Sequence, residues 1–347
     1  MDCSGGIEDS KMYMQVKGLP EQIEEALDAE IGEVRRTRNI CIFGMGASSL
    51  AGSILSDYAD STADMPIPVI RSTELPKWLD GETTVIAVSY SGNTREILCV
   101  YDEARSRGCN IISITSGGAL LERCASHGMK VIKVPEGLVS RGALGCLIGY
   151  LGALLEDMGV CNSREELRRM LPKLKEQRDL LISEENNLAR NMAQRMADSI
   201  PVIYSLSNMR SAAVRWKTQF NENCKMIAFN GSIPEFNHNE IIGWTEDNFN
   251  NDNFIPVILY DETASDLLRT MTDTSIGLLK EGNQDVLEYH VGGSSSLEKN
   301  IKCIILGDFV SLYMAKIRCA DPSNDEGVES IKEGLDLDEE RGLAHQG

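Results

Sequence analysis

Glu222, His238 and Arg141 are the residues whose types and surroundings suit the handling of protons and charge. Glu222 closes a predicted helix over 208–223, where the dipole places negative potential, and Trp216 and Phe220 make the neighbourhood partly apolar. Both effects raise a carboxylate pKa toward neutrality, the range in which a general base works. The alternative is a solvated acid pairing with Lys225. His238 stands between Asn237 and Asn239, and an imidazole of ordinary pKa, ~6.5, exchanges protons at neutral pH. Otherwise it is a turn or helix-cap residue bonded to backbone. Arg141 heads an apolar helix from 142, where a cation opposes the dipole unless it faces an anion. A plain surface arginine is the other reading.

A second group of residues suits a phosphate. The segment Ser89-Tyr90-Ser91-Gly92-Asn93-Thr94 leaves a β-branched run and opens a helix. Gly92 permits a tight turn, Ser89, Ser91 and Thr94 offer hydroxyls, and the helix N-terminus offers free N–H groups and positive dipole. The segment lacks the Gly-Lys-Ser/Thr ending of a nucleotide P-loop, which disfavours triphosphate hydrolysis. The competing reading is an ordinary turn capped by Asn93, with Glu96 three residues on. A second glycine turn, Gly44-Met45-Gly46-Ala47-Ser48-Ser49, also opens a helix. A dinucleotide fold would want glycine where Ser49 stands and an acid where Arg71-Ser72 closes the next strand. Two such loops on neighbouring parallel strands mark the place where open α/β sheets bind ligands.

The elements that position these groups alternate. Ile40–Phe43, Ile67–Arg71, Thr84–Ser89, Ile111–Thr115 and Val131–Val134 read as strands, with helices over 48–60, 94–107 and 118–127 and a buried closing helix over 142–158. Residues 163–199 read as two linking helices, the first starting after Asn162-Ser163. The alternation returns with strands Val202–Ser205, Met226–Phe229, Phe254–Tyr260 and Asp285–Val291 and helices 208–223, 263–281 and 297–319. This is an α/β protein with two parallel-sheet units, which suggests internal duplication. The expected division is a helical segment over 1–35, a phosphate-binding unit over 36–158, a linker over 159–199, a second unit over 200–322 and a tail over 323–347. Disorder is expected in the last ten residues.

Composition narrows the partners. Lys plus Arg number 34 against 53 Asp plus Glu, a net charge of −19 over 347 residues, so no broad basic face exists for nucleic acid or anionic membrane. The longest uncharged apolar stretch, 142–155, is shorter than the ~20 residues of a membrane span. The ten cysteines form no CxxC pair and no metal-ligand spacing, so no metal is expected and most read as small core residues in a reducing, cytoplasmic setting.

The glycine turn 44–48, the loop 89–94, Ser140-Arg141-Gly142-Ala143-Leu144-Gly145, and above all Arg215–Asn223 and Pro234–Trp244, resemble the archaeal-type bifunctional phosphoglucose/phosphomannose isomerases of the sugar isomerase (SIS) superfamily. The likeness covers about residues 36–322. It implies two SIS units, each a parallel sheet between helical layers, a homodimer with active sites near the interface, sugar phosphate substrates and no cofactor. It places phosphate at Gly46, Ala47, Ser48, Ser89, Ser91 and Thr94, the catalytic base at Glu222, ring opening at His238, acting in cis or across the dimer, and enediolate stabilisation at Arg141. The prolines usual before that arginine are Val139-Ser140 here. The family also uses a C-terminal lysine, for which Lys332 is the nearest candidate; an exposed, solvated lysine is the other reading. Outside this reading stand a non-catalytic phosphosugar sensor and a nicotinamide-dependent oxidoreductase.

Overall fold

The computed structural model describes residues 6–183, 187–246, 251–282 and 284–344. Two short helices, α1 (Lys11–Lys17) and α2 (Leu19–Leu27), precede the first unit. That unit runs β1 (Asn39–Phe43), α3 (Gly46–Thr62), β2 (Val69–Ile70), β3 (Thr83–Val88), α4 (Arg95–Ser106), β4 (Asn110–Thr115), α5 (Gly118–His127), β5 (Lys130–Lys133) and α6 (Leu144–Asp157). Its strands lie parallel in the order β2-β1-β3-β4-β5. The strand expected over Ile67–Arg71 shrinks to two residues because Pro68 has no N–H to give the ladder.

The linking helices α7 (Ser163–Ser183) and α8 (Leu188–Arg195) lead to the second unit. It comprises β6 (Ile200–Leu206), α9 (Arg210–Asn223), β7 (Phe229–Ile233), α10 (Glu240–Thr245), β8 (Phe254–Asp261), α11 (Asp266–Glu281), β9 (Leu287–Val291) and α12 (Ser296–Ile317). The sheet is parallel again, in the order β7-β6-β8-β9. β7 lies C-terminal to the expected Met226–Phe229. It is an edge strand whose pairing is set by its neighbour: a Cβ on Gly231 would stand 2.5 Å from the Tyr204 ring, so only glycine lets the two strands meet there. The tail departs from expectation too. Residues 324–327 read as extended, yet a helix α13 starts at Glu326 and runs to Ala344, through most of the stretch expected to be disordered; residues 345–347 lie outside the described chain.

Side chains of β1 alternate between two cores, Ile40 and Ile42 toward one and Cys41 and Phe43 toward the other, so helices cover both faces of the sheet. The core holding Ile40 and Ile42 continues without a break to Ile203, Val257 and Leu259 of the second sheet and to α12. The two units therefore share one interior. α6 is buried as expected, against α2; a Cβ on Gly149 would lie 2.5 Å from Ala26 Cβ. Of the free cysteines described, Cys99 is exposed and the other seven are buried, while Cys319 departs from the core reading in being disulfide-bonded. Among the described residues no helix is long and apolar enough to cross a membrane.

Candidate active site

β1 and β3 are neighbours whose onward connections turn in opposite directions, so a crevice opens between their C-terminal ends. The two glycine loops meet there. Gly46 opens α3 with φ +52°, and a Cβ on Gly44 would stand 2.7 Å from Ser49 N. In the second loop Gly92 has φ +70°, and any side chain there would collide with Gly117 O, at 1.8 Å. Ser89 Oγ accepts from Gly92 N at 3.2 Å and lies 2.9 Å from Thr94 Oγ1. Ser48 and Ser89 are buried, while Ser91 is exposed. Asn93 does not cap its own helix: its side chain accepts from Ala119 N at 2.9 Å, at the head of α5. Neither α3 nor α4 has a side-chain cap, which leaves their first N–H groups to an oxyanion.

Ser89→Ala and Thr94→Ala are expected to raise KM for every phosphorylated substrate, each lost hydrogen bond to a dianion costing ~1.5–3 kcal/mol. Steady-state kinetics on both variants checks this, and parental KM values in both would remove the loop from the site.

Arg141 is no surface residue. Only 5% exposed, it lies in the turn Ser140–Ala143. Its Nη1 is 3.4 Å from Glu222 Oε2, its Nε donates to Asn223 Oδ1 at 3.3 Å, and its Nη2 donates to the Pro322 carbonyl. Burial lowers its pKa and the Glu222 carboxylate works against that. The anion expected opposite this cation is therefore Glu222. The apolar surroundings expected of Glu222 are not there. Trp216 and Phe220 are fully buried on the inward face of α9, where Trp216 Nε1 donates to Cys303 O at 2.7 Å, whereas Glu222 is half-exposed beside charged groups. Lys225 does not pair with its carboxylate either. At φ +54°, Lys225 turns its ammonium onto the carbonyls of Glu222 and Asn324. Burial first, then Arg141, lowers its pKa.

α9, which carries Glu222, is fixed against α3, which Gly46 opens. The Asp57 carboxylate of α3 accepts from Ser211 N at 3.2 Å and from Ser211 Oγ at 2.5 Å, which fixes α9 against α3. The turn carrying Arg141 also packs on α3.

His238 ends a 3-10 turn, Glu235–His238, beyond the C-terminus of β7, while Glu222 lies before its N-terminus. The five residues of β7, ~16 Å of strand, run between them along the chain. The imidazole is exposed and has no hydrogen-bond partner among the described residues, so neither backbone bonding nor a cap explains it. Lys332 lies on the exposed face of α13, 2.7 Å from Glu329, and nothing brings it to Arg141 and Glu222.

Several residues that hold the site carried no signal in the sequence. Tyr90 Oη donates to Pro135 O and accepts from Leu138 N, both at 2.9 Å, tying the loop 89–94 to the segment before Arg141. Gln15 accepts from Val139 N, and Gln22 binds Gly142 O and Cys146 N, so the N-terminal helices clasp the same segment. Arg215, wholly buried and bidentate to Asp308 at 2.8 Å, donates to the Arg141 carbonyl at 3.0 Å. The sequence hint was present in one case only, since an aspartate inside the apolar run of α12 demands a partner.

Two parallel-sheet units with a Ser/Thr-rich oxyanion loop in the first define a double SIS protein. Residues 33–147 match the model of the SIS domain, and residues 185–335 that of the bacterial phospho-glucose isomerase C-terminal SIS domain. A hypothetical protein from Thermus thermophilus shares the fold at a TM-score of 0.72 and 14% identity, covering 96% of this chain and 91% of that one. The bifunctional phosphoglucose/phosphomannose isomerase of Caldicellulosiruptor bescii is 34% identical over 93% of this chain and 98% of its own length, and that of Aquifex aeolicus 31% over 94% and 98%. The chain belongs to the family of bifunctional phosphoglucose/phosphomannose isomerases.

Proposed function

We propose that this protein interconverts glucose 6-phosphate, and mannose 6-phosphate, with fructose 6-phosphate through a cis-enediol, without a cofactor and in the cytoplasm. The observation that carries the reading is the Arg141–Glu222 pair in a chain that also carries an oxyanion loop. A phosphosugar sensor has use for the loop but none for that pair, and no acid closes β2 as a dinucleotide site would want. The phosphate sits among Gly46, Ala47, Ser48, Ser89, Ser91 and Thr94. With the sugar open, the Glu222 carboxylate removes the proton on C2 while the O1 carbonyl oxygen gains a proton; returning the carried proton to C1 and releasing the O2 hydroxyl proton gives the ketose. Arg141, desolvated and permanently charged, stabilises the negative charge that develops on the enediolate oxygens. In this scheme Lys225, rather than Lys332, supplies the second cation beside Glu222.

His238 opens the ring, and the ~16 Å of β7 between it and Glu222 of the same chain favours a homodimer in which each site borrows the histidine of the other copy. Subunit mixing tests this. Glu222→Gln and His238→Ala proteins, each inactive on cyclic aldose phosphate, are expected to regain activity when mixed, one intact site per heterodimer. No recovery, with subunit exchange verified by mass, would place both residues of a site on one chain.

A further inference from the structure

The second unit has its own crevice at the same topological position, between β6 and β8, whose connections also turn apart. Strand register aligns the two crevices. The last β1–β3 pair is Phe43 with Ala87, and two residues past Ala87 comes Ser89; the last β6–β8 pair is Ser205 with Leu259, and two residues past Leu259 comes Asp261. Likewise three residues past Phe43 stands Gly46 and three past Ser205 stands Asn208, while Ser91 and Thr263 follow Ser89 and Asp261 at the same offset.

The donors of an oxyanion site are all present in the second crevice. Thr263 N and Thr263 Oγ1 donate to Asp261 Oδ1 at 2.9 and 2.8 Å. Asn208 Nδ2 and Lys299 Nζ donate to Oδ2 at 3.2 and 2.5 Å. Asn208 is used as a donor only, its buried oxygen having no partner. Loop N–H, hydroxyl, amide and ammonium thus converge on one carboxylate. Asp261 and Lys299 are 2% and 6% exposed, while Asn208 is half-buried and Thr263 lies at the exposed mouth of the crevice. Where the first unit puts a serine hydroxyl and leaves its donors open, the second puts a side chain that brings its own anion.

We infer that the second crevice is a latent oxyanion site whose seat is filled by the Asp261 carboxylate, so that the chain binds phosphate through its first unit only and gains a second phosphate-binding site when that carboxylate is removed. Burial raises the Asp261 pKa, but the hydrogen bonds from Lys299, Thr263 and Asn208 outweigh it and hold the pKa below the ordinary carboxylate range, as an anion in such a seat requires. The ligand class is a tetrahedral oxyanion, phosphate or a phosphate monoester. An Asp→Ala change leaves room beside Lys299 and an uncompensated buried cation, which draws an anion in.

Equilibrium dialysis of Asp261→Ala against labelled inorganic phosphate tests the inference. The variant is expected to bind one more phosphate per chain than the parent, and to lose that extra phosphate when Lys299→Met is added. An unchanged count, or an extra phosphate that survives Lys299→Met, overturns it. Because the comparison is with the parent, the result does not depend on how tightly the first unit binds. If Asp261→Ala does not accumulate in soluble form, its refolding yield is the readout. A yield that rises with phosphate, with no such rise for Asp261→Ala/Lys299→Met, supports the latent site, and a yield indifferent to phosphate overturns it.

Discussion

Glu222→Gln is expected to lower kcat for fructose 6-phosphate isomerisation by at least ~100-fold, the lower range for a positioned general base. The change is nearly isosteric and the side chain is 40% exposed, so packing is preserved; the charge opposite buried Arg141 is lost, while its bonds to Asn223 and the Pro322 carbonyl remain. An amide oxygen can still accept from Arg141, which keeps that guanidinium in place and isolates the loss of basicity. The phosphate loops are untouched, so KM should stay within a few-fold of the parent. A coupled assay of both aldose phosphates, with thermal melting as the control for folding, reads all of this. Turnover within tenfold of the parent would send the search for the base elsewhere.

Asp308→Ala should be the most destabilising single change at the site. Arg215 and Asp308 are 2% and 0% exposed and bidentate, so removing the carboxylate leaves a guanidinium buried with no counter-charge, at a cost of ~3–5 kcal/mol. For a protein of this size that lowers Tm by ~4–7 °C. Activity should fall as well, because Arg215 Nη2 holds the Arg141 carbonyl and a displaced Arg215 frees the turn that carries Arg141. The paired change Arg215→Met with Asp308→Leu should recover most of the stability, since burying an apolar pair leaves no charge uncompensated, without recovering the activity. Denaturant unfolding separates the cases, and a loss below ~1 kcal/mol for the single variant would show that Arg215 finds another partner.

These two residues illustrate how unevenly the site was legible. Glu222 stood out by motif and by its place at the end of α9, but its reading as a carboxylate in apolar surroundings was wrong about the neighbours. A helix has an inner and an outer face, and Trp216 and Phe220 turn inward while Glu222 looks out to Arg141. Asp308 and Arg215 did not stand out as a pair, being 93 residues apart and joined only when α9 packs on α12. The same holds for Gln15 and Gln22, over 120 residues from the backbone they clasp.

The sequence by itself determined the parallel-sheet units, the two glycine loops and the identity of the groups able to do chemistry. Each of these depends on local causes: hydrophobic period, glycines where φ is positive or a side chain cannot fit, and hydroxyls at a helix start. Only the tertiary structure decided which groups meet. It joined Arg141 to Glu222 across 81 residues, packed α9 on α3, held His238 beyond the far end of β7, and left Lys332 on an exposed helix. Contacts between distant segments arise from side-chain packing and charge pairing in the folded core, and spacing along a chain carries no record of them.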